Sequence, residues 1–163
     1  MNAALTIILA IIAFASDQLS KAWVLYAYAL GERGFVEVLP ILNFVYAENK
    51  GINFGLFAAD SDVQQWILAG IAVGVSIALL IWGSRTADRR ISVAAGLVIG
   101  GALANGLDRI NRGAVFDFIN MHCCGIANPY AFNLADVWIF AGAGLLLIFT
   151  WNDGSSQPRN AAG

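Results

Sequence analysis

Four apolar stretches, each near the length a helix needs to cross a bilayer, constrain this chain more than anything else in it. They run from about residue 3 to 28, 66 to 83, 91 to 107 and 137 to 151. A helix rises about 1.5 Å per residue and the hydrocarbon layer is roughly 30 Å thick, so about 20 residues span it. The second and third stretches are slightly short, a deficit their flanking residues can absorb. Within hydrocarbon every backbone N–H and C=O must be satisfied by protein, which favours helices for such segments. Charge agrees with this reading. Only 12% of the 163 residues are charged and 59% are hydrophobic, against about 25% charged in an ordinary soluble domain. Lipid must therefore replace water over much of the surface. The expected fold is membrane α-helical: one domain over residues 1–163 with four transmembrane helices. Trp66, Trp82 and Trp151 fall at segment ends, where interfacial aromatics sit.

The segment Ala13-Phe14-Ala15 mimics a signal-peptide cleavage site, but no Lys or Arg occurs between Met1 and Thr6. Without a positive n-region, a retained first span is expected. The short connection from Ser84 to Arg90 holds Arg85, Arg89 and Arg90 against Asp88 alone, which predicts a cytoplasmic position. Both termini, including the polar tail 152–163, then lie inside, and the loops 31–65 and 110–133 face outward. In the first outer loop, Phe35 to Leu39 and Leu42 to Ala47 are rich in β-branched and aromatic residues and are divided by Pro40. That pattern predicts two short strands. Phe54-Gly55-Leu56-Phe57 is apolar enough to rest on the bilayer or cover a cleft. A small extracytoplasmic β-sheet cradle and an interfacial helix or loop are expected on top of the bundle.

Ionisable residues in apolar sequence are costly where they face hydrocarbon, so each calls for a partner or a function. Asp17 lies about 21 Å along the first helix from Ala3 by the rise per residue, and Lys21 follows on the same face. Asn105, Asp108 and Arg109 share the outer end of the third span, and Asn133 and Asp136 the start of the fourth. Asp117 sits between Phe116 and Phe118 in the connecting loop. Each has a plain structural reading: Asp17 with Lys21 as a bundle salt pair, Asp108 with Arg109 as interfacial charge, Asn133 as a helix cap. Gly96 and Gly100 form a small-xxx-small pair suited to close helix packing. What singles the set out is its common depth. Two carboxylates brought within a few ångströms share a proton, and such a pair activates water for peptide hydrolysis. The helix dipole favours charge on Asp136, while aromatic neighbours desolvate Asp117.

Other chemistries find no set of residues. The Gly-x-Ser-x-Gly elbow, the His-Glu-x-x-His motif and the Gly-rich phosphate loop are all missing. His122 is the single histidine, and it adjoins Cys123 and Cys124, read as thiols in a loop. The net charge of −2 with no basic run speaks against nucleic acid. The rival from another class is a small transporter or channel subunit using the buried Asp, Asn and Arg cluster. Such a path needs polar residues at successive depths, whereas the inner halves of the second to fourth spans are almost wholly apolar.

The ordered motifs Asp17-Gln18-Leu19-Ser20-Lys21, Asn49-Lys50-Gly51 with Phe54-Gly55, and Gly101 to Arg109 precede Val115-Phe116-Asp117-Phe118 and Phe132-Asn133-Leu134-Ala135-Asp136. In this order and spacing the chain closely resembles the bacterial lipoprotein signal peptidases, the signal peptidase II family. The resemblance implies an aspartic endopeptidase of the bacterial inner membrane without metal or organic cofactor, its site at the outer face; a monomer is expected. Its implied substrates are diacylglyceryl-modified prolipoproteins, cut just before the lipidated cysteine. It implies Asp117 and Asp136 as the catalytic pair. Asn49, Gly101, Asn105, Arg109 and Asn133 match positions that line the site, and Asp17, Lys21 and Asp108 match supporting polar positions. Gly51 belongs with the site through its motif. Ile52-Asn53 and Val137 depart from the smaller residues of the family pattern, which bears on the cleft wall and on a hydrogen bond beside the pair.

Overall fold

The computed structural model describes residues 2–51, 61–122 and 128–155. Four long helices form the bundle: α1 (Ala3–Ala27), α3 (Ser61–Arg85), α4 (Arg89–Arg112) and α5 (Leu134–Ser155). Each is long and apolar enough to cross a membrane. A one-turn helix, α2 (Leu30–Arg33), and the strands β1 (Phe35–Leu39), β2 (Leu42–Asn49) and β3 (Val115–Met121) complete the described elements. The helices extend past the apolar stretches because their polar ends continue the backbone hydrogen bonding beyond the hydrophobic run. The segment Phe54–Phe57, Cys123 and Cys124 lie outside the described residues, as does the end of the tail.

The central helix is α4: 72% of its membrane-crossing stretch is buried, against 17% for α1 and α3 and 11% for α5. Hydrophobicity cannot drive helices together in lipid, so close approach relies on small residues. Methyl groups placed on Gly96 and Gly100 would collide with α1 at Thr6 O and Ala10 O. A methyl on Gly142 would stand 2.6 Å from Ala94 O, so α5 closes on α4 in the same way. The outward faces remain apolar; Leu19, Phe140 and Leu147 are 69%, 77% and 64% exposed.

The sheet has the order β1-β2-β3, antiparallel throughout. The two sequence-expected strands form, with β2 two residues longer than read. Asp117 was expected in a loop and lies instead in β3, which pairs with β2 so that Ala47 faces Asp117 and Asn49 faces Val115. Ile119 also bridges Phe132, just before α5. Covered on both faces, β3 loses the apolar–polar alternation that marks a half-solvated strand. An aromatic cluster seats the sheet on the bundle. Tyr28, Phe44 and Phe118 meet edge to face at 5.2 and 5.8 Å, with Val24 and Leu30 buried beneath them.

Candidate active site

Alternation along β3 turns Asp117 away from Phe116 and Phe118, which pack in the aromatic core. Its carboxyl group, 2% exposed, is met by two amides. Asn133 Nδ2 donates to Oδ1 at 2.6 Å and Asn49 Nδ2 donates to Oδ2 at 3.0 Å. Asp136 stands at the third position of α5 and closes a reciprocal cap with Asn133. The Asp136 N–H donates to Asn133 Oδ1 at 3.0 Å, while the Asn133 N–H donates to Asp136 Oδ2 at 3.3 Å. This is the geometry of a capping box. Asn133 therefore touches both carboxyl groups while also starting the helix, so the structural and the functional reading hold together.

A second bridge comes from α4. Asn105 Nδ2 donates to Asp136 Oδ1 at 2.9 Å, and Asn105 Oδ1 accepts from Asn133 Nδ2 at 3.1 Å. Arg109 donates from Nη1 to Asn105 O at 3.2 Å, and its buried Nε has no partner among the described residues. The charges acting most strongly on this guanidinium are those of Asp136, Asp117 and Asp108. It thus presents positive charge to the site with donor capacity left over.

Beneath lies a buried ionic cluster. Lys21 Nζ is 2.7 Å from both Asp17 Oδ2 and Asp108 Oδ2, and all three residues are at most 3% exposed. Asp108 pairs with Lys21 across helices and is not an interfacial charge beside Arg109. Removing one member of such a buried group leaves an uncompensated charge, at a cost of about 3–5 kcal/mol. Gln18, given no role from the sequence, donates to Asp17 Oδ2 at 3.3 Å and to Asp108 Oδ1 at 3.2 Å. Its signal was present as a second polar residue inside an apolar run.

Two glycines act through backbone. Gly51, with φ at +95°, donates its N–H to Asn49 Oδ1 at 3.0 Å and so orients the amide that reaches Asp117. Gly101 acts by its missing side chain. A methyl there would stand 2.5 Å from Ala135 O, so its bareness lets α5 approach α4 next to Asp136. His122 is engaged elsewhere, its Nδ1 3.0 Å from Asn43 Nδ2 on the sheet.

Burial pushes the Asp117 carboxyl up from an ordinary 3.8 to about 6. The Asn49 and Asn133 amides and the Lys21 charge oppose this rise, and the Asp136 charge reinforces it. The site therefore has a carboxyl that holds its proton longer than usual, beside a second carboxyl on the same asparagine. That is the equipment for general acid–base work on a water and a carbonyl.

Comparison with known proteins agrees with this chemistry. The family model for signal peptidase (SPase) II matches residues 9–152. The lipoprotein signal peptidase of Nitrobacter hamburgensis is 42% identical over 144 residues, 86% of this chain and 88% of its own. That of Rhodopseudomonas palustris strain ATCC BAA-98 / CGA009 is 38% identical over 146 residues, 88% and 89% of the two chains. A solved structure of a bacterial membrane enzyme superposes with a TM-score of 0.76 at 27% identity, covering 98% of this chain and 95% of that one. Four membrane-crossing helices and these matches make one conclusion: the chain is a multi-pass bacterial membrane peptidase and belongs to the signal peptidase II family.

Proposed function

We propose that Asp117 and Asp136 are the catalytic dyad of an endopeptidase that removes signal peptides from diacylglyceryl-modified prolipoproteins, cutting before the lipidated cysteine. The observation that carries this reading is Asn133, whose side-chain amide binds one carboxyl group and whose backbone binds the other. Asp136, ionised, takes a proton from the attacking water. Asp117, protonated, gives its proton to the scissile carbonyl oxygen as the water oxygen bonds to the carbonyl carbon. The resulting diol collapses as the C–N bond breaks. Its hydroxyl proton returns to Asp117, and the proton held by Asp136 passes to the leaving amine. Signal-peptide acid and a free cysteine amine result, with both residues restored. Arg109, Asn105 and Asn49 stand beside the site with donors suited to substrate carbonyls.

The lipid part of the substrate has a matching surface. An apolar groove of about 650 Å³, lined by Phe132, Asp136, Val137, Phe140 and Ala141, leads from the dyad along α5. Anchoring acyl chains there holds the scissile bond near the water, the kind of positioning that removes much of a reaction's entropic barrier. In this reading the arginine loop Ser84–Arg90 and both termini are cytoplasmic, and the dyad works at the outer face of the inner membrane. The transporter alternative gains no support. The buried hydroxyls of Thr6, Ser76 and Ser92 are taken up by the backbone carbonyls of Asn2, Ala72 and Gly83.

The test is cleavage of a purified diacylglyceryl-modified prolipoprotein by the full chain. Asp117→Asn and Asp136→Asn should each lose about 10³-fold or more in kcat, in line with removal of an acid or base, while still binding substrate. Wild-type turnover by either variant would reject the dyad.

A further inference from the structure

We propose that Lys21 is a positioning residue that locks the two halves of the dyad together, holding the backbone before Asp136 through Asp17 and the backbone before Asp117 through Asp108. This rests on the dyad reading above. The ammonium of Lys21 has three donors and meets three oxygens: Asp17 Oδ2 and Asp108 Oδ2 at 2.7 Å, and Asn105 Oδ1 at 3.5 Å. Each carboxylate also accepts a backbone N–H from a distant segment. Asp17 Oδ1 accepts from Ala135 N at 2.8 Å, and Asp108 Oδ2 accepts from Phe116 N at 3.2 Å. Ala135 immediately precedes Asp136, and Phe116 immediately precedes Asp117. Gln18 closes the figure by donating to both carboxylates.

A salt bridge serving only to join α1 to α4 has no need of these two amides. That joint is already made by Gly96 and Gly100, whose bareness brings α4 against the α1 backbone. A buried ion pair is also a weak source of net stability. What the cluster supplies is a common reference point, anchored in α1 and α4, for two segments that also meet at Asn133 and through the Ile119–Phe132 bridge. Because a misplacement of about 1 Å at reacting groups costs about 10²-fold in rate, loosening Lys21 acts on kcat through Asp117 and Asp136 without touching substrate.

The experiment uses the full-length protein in lipid bicelles with diacylglyceryl-modified prolipoprotein. Lys21→Met is expected to lower kcat by about 100-fold with KM within about threefold, and to speed hydrogen exchange at the Phe116 and Ala135 amides together. Asp17→Asn and Asp108→Asn keep an oxygen for each amide but release the ammonium on one side. Their double variant should lose little more kcat than the worse single one, because opening either side opens the lock. Unchanged kcat in Lys21→Met, or a double variant whose loss is the product of the single losses, overturns the proposal. If Lys21→Met does not fold, the two asparagine variants decide the matter alone. Asp117→Asn and Asp136→Asn are run alongside. Activity in either one defeats the dyad reading, whereas exchange at Phe116 and Ala135 still reports whether Lys21 holds both segments.

Discussion

At the scale of single residues, the proposed acid role of Asp117 rests on the protein withholding water from its carboxyl group. Its carboxyl titrates near 6, burial being the main cause and the Asp136 charge adding to it. Loss of that proton removes the acid, so kcat/KM of the free enzyme should fall as pH rises through about 6. In Asp136→Asn the neighbouring charge is gone, and the carboxyl stretch of Asp117, followed by infrared spectroscopy against pH, should titrate lower than in wild type. Stability follows the same proton. The folded chain binds it more tightly than the unfolded one, so this group favours folding most below 3.8 and progressively less as pH rises through about 6. Melting curves of wild type and Asp117→Asn should therefore diverge with pH, wild type losing ground between those values. A constant gap would mean that Asp117 has an ordinary carboxyl.

At the scale of elements, the site depends on how closely α5 and the β2 end approach the bundle. Gly101→Ala puts a methyl 2.5 Å from Ala135 O, at the helix start that bears Asp136. Overpacking of this kind costs about 1–3 kcal/mol, and the forced shift of α5 should lower kcat about tenfold or more. Gly144→Ala is the control, since no described residue beyond its own helix turn lies within 4 Å of an added methyl there, and its melting and activity should match wild type. Gly51→Ala should also reduce kcat. Its φ of +95° resists a side chain and the methyl would stand 2.6 Å from Leu68 Cδ1, so the turn that aims Asn49 at Asp117 opens. Melting temperature and single-turnover rate, measured together, separate a local loss of aim from a general loss of packing.

At the scale of the whole molecule, the proposed orientation in the bilayer rests on the apolar faces of the long helices and on the arginine loop. Cysteines introduced one at a time at Ser84 and at Glu37, in a background lacking Cys123 and Cys124, should react with an impermeant thiol reagent on opposite sides of the membrane. Glu37 should be reached from outside intact cells, Ser84 only after the inner face is opened. Replacing Arg85, Arg89 and Arg90 with Gln should weaken this asymmetry, because it is the Lys and Arg bias that orients short loops. Labelling of Ser84 from outside would invert the topology and place the dyad in the cytoplasmic leaflet.

Local sequence determined the spans, the first two strands and the identity of the polar set. Hydropathy over about 20 residues, alternation over five and the expense of a carboxylate in apolar surroundings are all properties of short stretches. Asp17 with Lys21 was legible as a pair because four residues make one helical turn. What those residues contact across the fold was not legible. That Asp108 answers Lys21 instead of Arg109, that Asn133 spans both carboxyl groups and that Gln18 joins two helices depend on side chains between 16 and 90 positions apart in the chain. The third strand was hidden for the same reason. Val115 to Met121 becomes a strand only because β2 and Phe132 flank it, and being buried on both faces it carries no alternation to read. Sequence chose the groups that could do chemistry, and close packing of glycine-faced helices brought them within hydrogen-bonding distance.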